Sequence, residues 1–334
     1  MPLAAILGCA GPELSDAERR FFSAADPLGF IVFARNLVEP DQVRRLTADL
    51  RASIGRPDAP ILVDQEGGRV ARLKAPHWRH PPAADKFGAI GASDRARAAS
   101  AVRVNHELMA TELRALGLTV DCAPLIDVRL DGAHDIIGDR AYGTDPYLVA
   151  DLGRAAAEGL MAGGVMPIIK HIPGHGRSMV DSHFDLPRVD TDFDTLAETD
   201  FVPFRALHDI PWAMTAHIVY TAIDAAQPAT LSRTVISEVI RGEIGFSGLL
   251  LSDDLSMKAL KGGLDELAQG SLEAGCDVVL HCNGDMAEME KVVKGAKPLS
   301  SAGLARYEQG QRRLNADPDF DQADLKDELS ALMA

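Results

Sequence analysis

A chain of 334 residues, 46% hydrophobic and 25% charged, has the composition of a globular protein and not of a disordered or fibrous one. At that length a core buries about three quarters of the unfolded surface, so no disulfide or metal staple is required. The formal charge of −15 argues against nucleic acid or an anionic membrane as partner, although a local cluster of Arg and Lys can still hold a small anion.

In chain order, short apolar runs alternate with helical patterns. Ala4–Cys9 reads as a first strand, because it lacks the basic flank and the apolar length of a leader peptide. Phe30–Phe33, Ile61–Asp64, Val120–Leu125, Met166–Lys170, Trp212–His217, Leu249–Asp253 and Asp277–His281 follow. Each is apolar nearly throughout, as parallel strands covered on both faces are. Between them the spacing predicts helices over Asp41–Arg51, Arg95–Leu116, Pro146–Ala162, Leu196–His208, Val235–Ile244, Leu264–Ala274 and Met286–Lys294. Asp41 and Ser93 stand where N-caps are wanted, and Gly117, Gly163 and Gly275 at helix ends.

Eight such units predict a single (β/α)8 TIM-type barrel over residues 1–334, with a helical, partly mobile tail from about residue 305. A doubly wound open sheet would want a Gly-rich phosphate turn after its first strand, and Gly8-Cys9-Ala10-Gly11 is not GxGxxG. No apolar run approaches the roughly 18 residues of a membrane span. Cys9, Cys122, Cys276 and Cys282 lie in apolar runs without a CxxC pair, so buried reduced thiols are expected. A cytoplasmic monomer is the expectation.

Polar residues collect at the C-terminal ends of the strands: Arg35-Asn36, Asp64-Gln65-Glu66, Asp127, Lys170-His171, His217, Asp253-Asp254 and His281. That rim is where a barrel builds its active site, so the chain reads as an enzyme. The densest stretch is Lys170-His171-Ile172-Pro173-Gly174-His175-Gly176, followed by Asp181-Ser182-His183. One reading is a metal-dependent barrel hydrolase with His171, His175 and His183 as ligands. The intervening Pro and Gly, however, deny it the helical i, i+4 spacing that makes HExxH strong. The other reading pairs Asp181 with His183, two residues apart in extended chain, as a carboxylate-supported imidazole for general acid and base work.

In Ser252-Asp253-Asp254 the alternation of a strand lets only one Asp face the barrel mouth, leaving the other to bond the following turn or cap a helix. A carboxylate nucleophile with a proton donor is the minimum for retaining glycoside hydrolysis. Asp64 and Arg72, flanking Gly67-Gly68, are residue types that grip sugar hydroxyls. Arg140, taken singly, reads as a surface ion pair.

On Lys170–Gly176 with Asp181-Ser182-His183, on Asp64-Gln65-Glu66-Gly67-Gly68-Arg69-Val70 and on Ser252-Asp253-Asp254-Leu255-Ser256-Met257, the chain resembles glycoside hydrolase family 3. The likeness runs over about residues 3 to 300. It is specifically similar to the short bacterial β-N-acetylglucosaminidases of peptidoglycan recycling. The resemblance implies Asp253 as nucleophile and His183 as acid/base supported by Asp181. It implies Asp64, Arg72, Arg140, Lys170 and His171 as binders of the N-acetylglucosamine ring, with no cofactor and no metal. The implied substrate is a small carbohydrate, an N-acetylglucosaminyl anhydro-muropeptide. A phosphorylase with the same residues is the variant within the class. Ile172 departs from the aromatic residue that the family pattern places there. The larger relatives carry a second domain supplying a Glu acid, and with 334 residues this chain is expected to do without it.

Overall fold

The computed structural model describes residues 1–130, 132, 137–178 and 186–334. Among them eight parallel strands close a barrel: β1 (Leu3–Gly8), β2 (Pro27–Val32), β3 (Ile61–Val63), β4 (Val120–Asp121), β5 (Met166–Ile172), β6 (Trp212–Thr215), β7 (Leu249–Asp254) and β8 (Val278–His281). They neighbour one another in chain order, and β8 returns to β1 through the pairs Ala5–Val279, Ile6–Leu280 and Leu7–His281. With helices between the strands, this is the (β/α)8 barrel that the alternation predicts.

Strand alternation sorts the core into two shells. Ile6, Leu62, Ile168, Leu251 and Leu280 pack together inside the barrel. Their strand neighbours Ala5, Leu7, Ile61 and Val63 pack outward with helix residues such as Leu46 and Leu50, as do Ile169, Ala213 and Leu250 on the other side. Each fully buried Leu or Ile contributes about 1.5–3 kcal/mol from its apolar surface, and truncating an interior one such as Ile168 to Ala costs about 2–5 kcal/mol. At the opposite end from the rim, Asp277 accepts from Arg241 (2.9 Å), Arg306 (2.6 Å) and the Leu250 amide (3.0 Å).

Several boundaries differ from the expectation for local reasons. β4 stops at Asp121 because Pro124 has no N–H to give the ladder. Pairing with β5 persists through carbonyls, Ile168 N–H to Ala123 O at 2.9 Å and Lys170 N–H to Pro124 O at 3.3 Å. The helix Pro40–Ser53 starts early, since Pro40 suits the first turn. Glu39, not Asp41, caps it, accepting from the Gln42 amide at 2.8 Å. Ser93 donates back to Ile90 O (3.1 Å), leaving Asp94 to cap Arg95–Arg114.

The helix expected over residues 196–208 is two, Phe193–Glu198 and Phe201–Ala206. Pro203 cannot donate to the carbonyl four residues back, and the break frees Asp200 to take the Arg177 guanidinium at 2.6 Å. The tail is helical, Ser301–Gln311 and then Gln322–Met333. The second helix lays Leu325 and Leu329 into the core that also holds Ala98, Ala101 and Val102 of the helix Arg95–Arg114.

Candidate active site

Asp64 follows β3, and the chain then doubles back through a two-stranded ribbon, Gln65–Gly67 against Val70–Ala71. Gly67 (φ 104°) and Gly68 (φ 54°) make the turn in left-handed backbone that other residues resist. A Cβ on Gly67 would also stand 2.3 Å from the Pro82 carbonyl oxygen. The ribbon returns Arg72 to Asp64, with Nη2 3.0 Å from Oδ2. The Gln65 side chain fixes that return, its Oε1 accepting from the amides of Arg72 (2.8 Å) and Leu73 (3.1 Å).

Lys170, buried near the end of β5, places Nζ 3.0 Å from Asp64 Oδ1 and 2.6 Å from Glu66 Oε1. Arg140, closing the turn Gly138–Arg140, grips Glu66 with two bonds of 2.8 Å. The result is an alternating string, Arg72–Asp64–Lys170–Glu66–Arg140, running across the barrel mouth. Gathering five largely shielded charges is tolerable because each carboxylate meets two cations.

Burial alone would raise both carboxyl pKa values. Lys170 and Arg72 outweigh it at Asp64 and hold that group below the usual carboxylate range. Arg140 and Lys170 bring Glu66 down to about 2. Burial likewise pulls the Lys170 ammonium down, and Asp64 and Glu66 more than reverse it. Among the described residues, the buried Nε of Arg72 has no hydrogen-bond partner.

Across the mouth, Asp253 is the last residue but one of β7. Burial raises its carboxyl pKa, but His217, His171, the Asp254 amide and Lys170 together take it below the ordinary value, so it stands ionised at neutral pH. His217 is held on both nitrogens, Nε2 donating to the Asp254 carbonyl (3.0 Å) and Nδ1 meeting the Thr230 hydroxyl (2.7 Å). Asp127, fully buried beyond β4, holds the loop after β5. Its Oδ2 accepts from His171 Nδ1 (2.8 Å), and its Oδ1 accepts from the amides of His171 (3.2 Å) and His175 (2.7 Å). That bond puts the neutral-ring proton on Nδ1 and leaves Nε2 of His171 for a ligand. Burial and the neighbouring His171 lower His175 to about 4. The loop lies so close to the chain after β4 that a Cβ on Gly176 would stand 1.7 Å from the Val128 carbonyl oxygen.

These groups surround one cleft whose empty space, open mouth included, is about 660 Å³. Asp64, Arg72, Arg140, Lys170, His171 and Asp253 all line it. Asp181 and His183 lie outside the described residues. Arg140 is not the surface pair that it suggests when read singly, since its side chain is 11% exposed and committed to Glu66. Cys282, expected buried, is half-buried and lines the cleft.

For the metal reading, no three His, Cys, Asp or Glu among the described residues are grouped to hold one ion. His171 and His175 pack edge to face, 5.4 Å between ring centroids. Sequence reasoning did not single out Glu66, Asp127 or His217 as site residues. Their positions at strand ends were the available signal.

The family model described as "Glycosyl hydrolase family 3 N terminal domain" matches residues 13–315. A beta-hexosaminidase of Xanthomonas campestris pv. campestris is 38% identical over 304 residues, covering 90% of each chain. One from Alkalilimnicola ehrlichii is 41% identical over 282 residues, 83% of this chain and 80% of that one. Among solved structures, NagZ from Neisseria gonorrhoeae in complex with N-trifluoroacetyl-D-glucosamine superposes with a TM-score of 0.89 at 31% identity. That match covers 99% of this chain and 97% of the other. A match over nine tenths of the sequence, on a barrel whose rim carries an ionised carboxylate and a string of paired charges, places the chain in glycosyl hydrolase family 3, and it is a glycoside hydrolase.

Proposed function

We propose that the chain is a retaining exo-β-N-acetylglucosaminidase that removes non-reducing terminal N-acetylglucosamine from peptidoglycan (muropeptide) fragments in the cytoplasm, acting as a monomer. The observation that carries the reading is the single cleft shared by Asp253 and the Arg72–Asp64–Lys170–Glu66–Arg140 string. The string offers charge-assisted hydrogen bonds to ring hydroxyls on the other side of the cleft from Asp253. His171 Nε2 is a position not spent on the protein. The N-acetyl preference rests on the relatives, whose names are beta-hexosaminidase and one of whose structures binds an N-acyl glucosamine.

In this reading Asp253 attacks the anomeric carbon while His183, supported by Asp181, protonates the leaving oxygen. A bond forms from the Asp253 carboxylate to the sugar and the glycosidic C–O bond breaks. Water then reverses the linkage with neutral His183 as base, returning the β configuration. The lowered pKa of Asp253 keeps it a nucleophile through the neutral range.

The test is hydrolysis of 4-nitrophenyl N-acetyl-β-glucosaminide beside the matching β-glucoside, with EDTA, by wild type and Asp253→Ala. Turnover of the N-acetyl substrate alone, indifferent to EDTA and lost in the variant, supports the reading. Loss of activity to EDTA would put the His171/His175/His183 metal hydrolase in its place. Sugar 1-phosphate as product in phosphate buffer would make the enzyme a phosphorylase.

A further inference from the structure

β7 carries one residue too many for its partner. It pairs Leu251 with Val278 and Asp254 with Leu280, three steps on one strand against two on the other. Such a bulge re-aims side chains at a strand end, and here it falls at Ser252–Asp253. One end of the bulge is closed by Ser252, fully buried, whose Oγ accepts the Leu280 amide (2.9 Å).

The other end is closed by the Asp254 carboxylate. Its Oδ1 accepts from the amides of Ser256 (3.0 Å) and Cys282 (3.1 Å), and its Oδ2 accepts from the Ser256 hydroxyl (2.7 Å). An Asp side chain bonded to the amide two residues on fixes its own backbone as an Asx turn does. Here a third bond ties that turn to the end of β8. The main chain so fixed is the part that touches Asp253. The Asp254 N–H donates to Asp253 Oδ1 at 2.8 Å, and the Asp254 carbonyl accepts from His217 Nε2 at 3.0 Å.

We infer that Asp254 is a positioning residue for the nucleophile. Its carboxylate locks the bulge so that its amide holds one oxygen of Asp253 and leaves the other free to attack. The inference rests on the reading of Asp253 as nucleophile. The Asp254 amide keeps the same grip when the ester breaks, so both glycosylation and deglycosylation depend on it. The sugar-gripping string is built on the segment after β3, the turn Gly138–Arg140 and β5, whereas the side-chain hydrogen bonds of Asp254 run to Ser256 and Cys282. Ground-state binding is therefore independent of it.

Asp254→Ala, Asp254→Asn, Ser256→Ala and, as control, Asp253→Ala are compared by kcat, by the Ki of N-acetylglucosamine and by thermal midpoint. A displaced reacting group costs on the order of 100-fold, so Asp254→Ala loses about that in kcat with Ki within about threefold. Asp254→Asn keeps an amide oxygen for the Ser256 and Cys282 N–H groups and recovers to within about tenfold of wild type. Should Asp254→Ala not fold, Asp254→Asn and Ser256→Ala each give about a three- to tenfold fall in kcat at unchanged Ki, the scale of one weakened hydrogen bond.

A wild-type kcat in these variants, with Asp253→Ala inactive, overturns the inference alone. A fall in kcat matched by lost sugar binding and a lowered midpoint overturns it in favour of a purely structural role. An active Asp253→Ala would remove the nucleophile reading itself and the inference with it.

Discussion

Lys170 is the centre of the charge string, and its replacement by Met isolates the ammonium while keeping the apolar stem. Nζ is the shared partner of Asp64 and Glu66, at 3.0 and 2.6 Å. Breaking a buried ion pair by removing one partner costs about 3–5 kcal/mol. Asp64 keeps Arg72 and Glu66 keeps Arg140, so the lower end, about 3 kcal/mol, is expected. At about 2.1 cal/mol/K per residue the unfolding entropy of 334 residues is about 0.7 kcal/mol/K, and the midpoint falls by about 4 °C.

The pH dependence carries a second signature. Asp64 and Glu66 have folded pKa values below their unfolded ones. Their stabilisation is therefore present above the unfolded values and lost as pH falls through the folded ones, about 2 for Glu66. Without Lys170 both folded values rise, so the acid limb of the stability curve moves to higher pH. A hydrogen bond to a charged group is worth about 1.5–3 kcal/mol, so kcat/KM should also fall by roughly 10- to 150-fold. Calorimetry from pH 3 to 8 with steady-state kinetics measures all three. A Lys170→Met protein with wild-type midpoint and acid limb would refute the bridging role.

Asp127→Asn should keep its acceptor for the amides of His171 and His175 but turn an N–H toward His171 Nδ1. The ring proton moves to Nε2, kcat/KM drops by about 10- to 100-fold as for other lost imidazole partners, and nitrogen NMR of His171 reports the tautomer. A wild-type tautomer in the variant would contradict that bond. His183→Ala should lose about 10²–10⁴-fold on a natural disaccharide and far less on a 4-nitrophenyl glycoside, whose leaving group needs no proton. Equal losses on both would sink the acid assignment.

Strand positions were legible because strands covered on both faces must be apolar throughout, and the eight runs stand out as such. Their ends were less so, since β4 halts on the missing N–H of Pro124 and the helix after β5 breaks around Pro203. Within the site, Asp64, Lys170 and Asp253 announce themselves as charges at the ends of apolar runs. Glu66 and Asp127 stand on the same rim without showing a role, because what makes them matter is a partner 74 residues away, Arg140, or 44 away, His171. No local pattern encodes such a contact. Likewise the alternation rule correctly leaves only one of Asp253 and Asp254 for the mouth, but the bulge that places it exists only once β8 lies alongside.

Closure of the barrel has a bearing on how such an enzyme can change. The charge string hangs from β3 and β5 and the proposed nucleophile Asp253 from β7, and an unbroken ring of paired strands joins them. The gap between grip and attack is thus a dimension of the scaffold, with no hinge to widen it. New specificity must enter through the segments that leave the rim, while the strands act as a fixed chassis. Grafting the segment after β5 from one relative to another should therefore transplant preference with the reaction geometry intact.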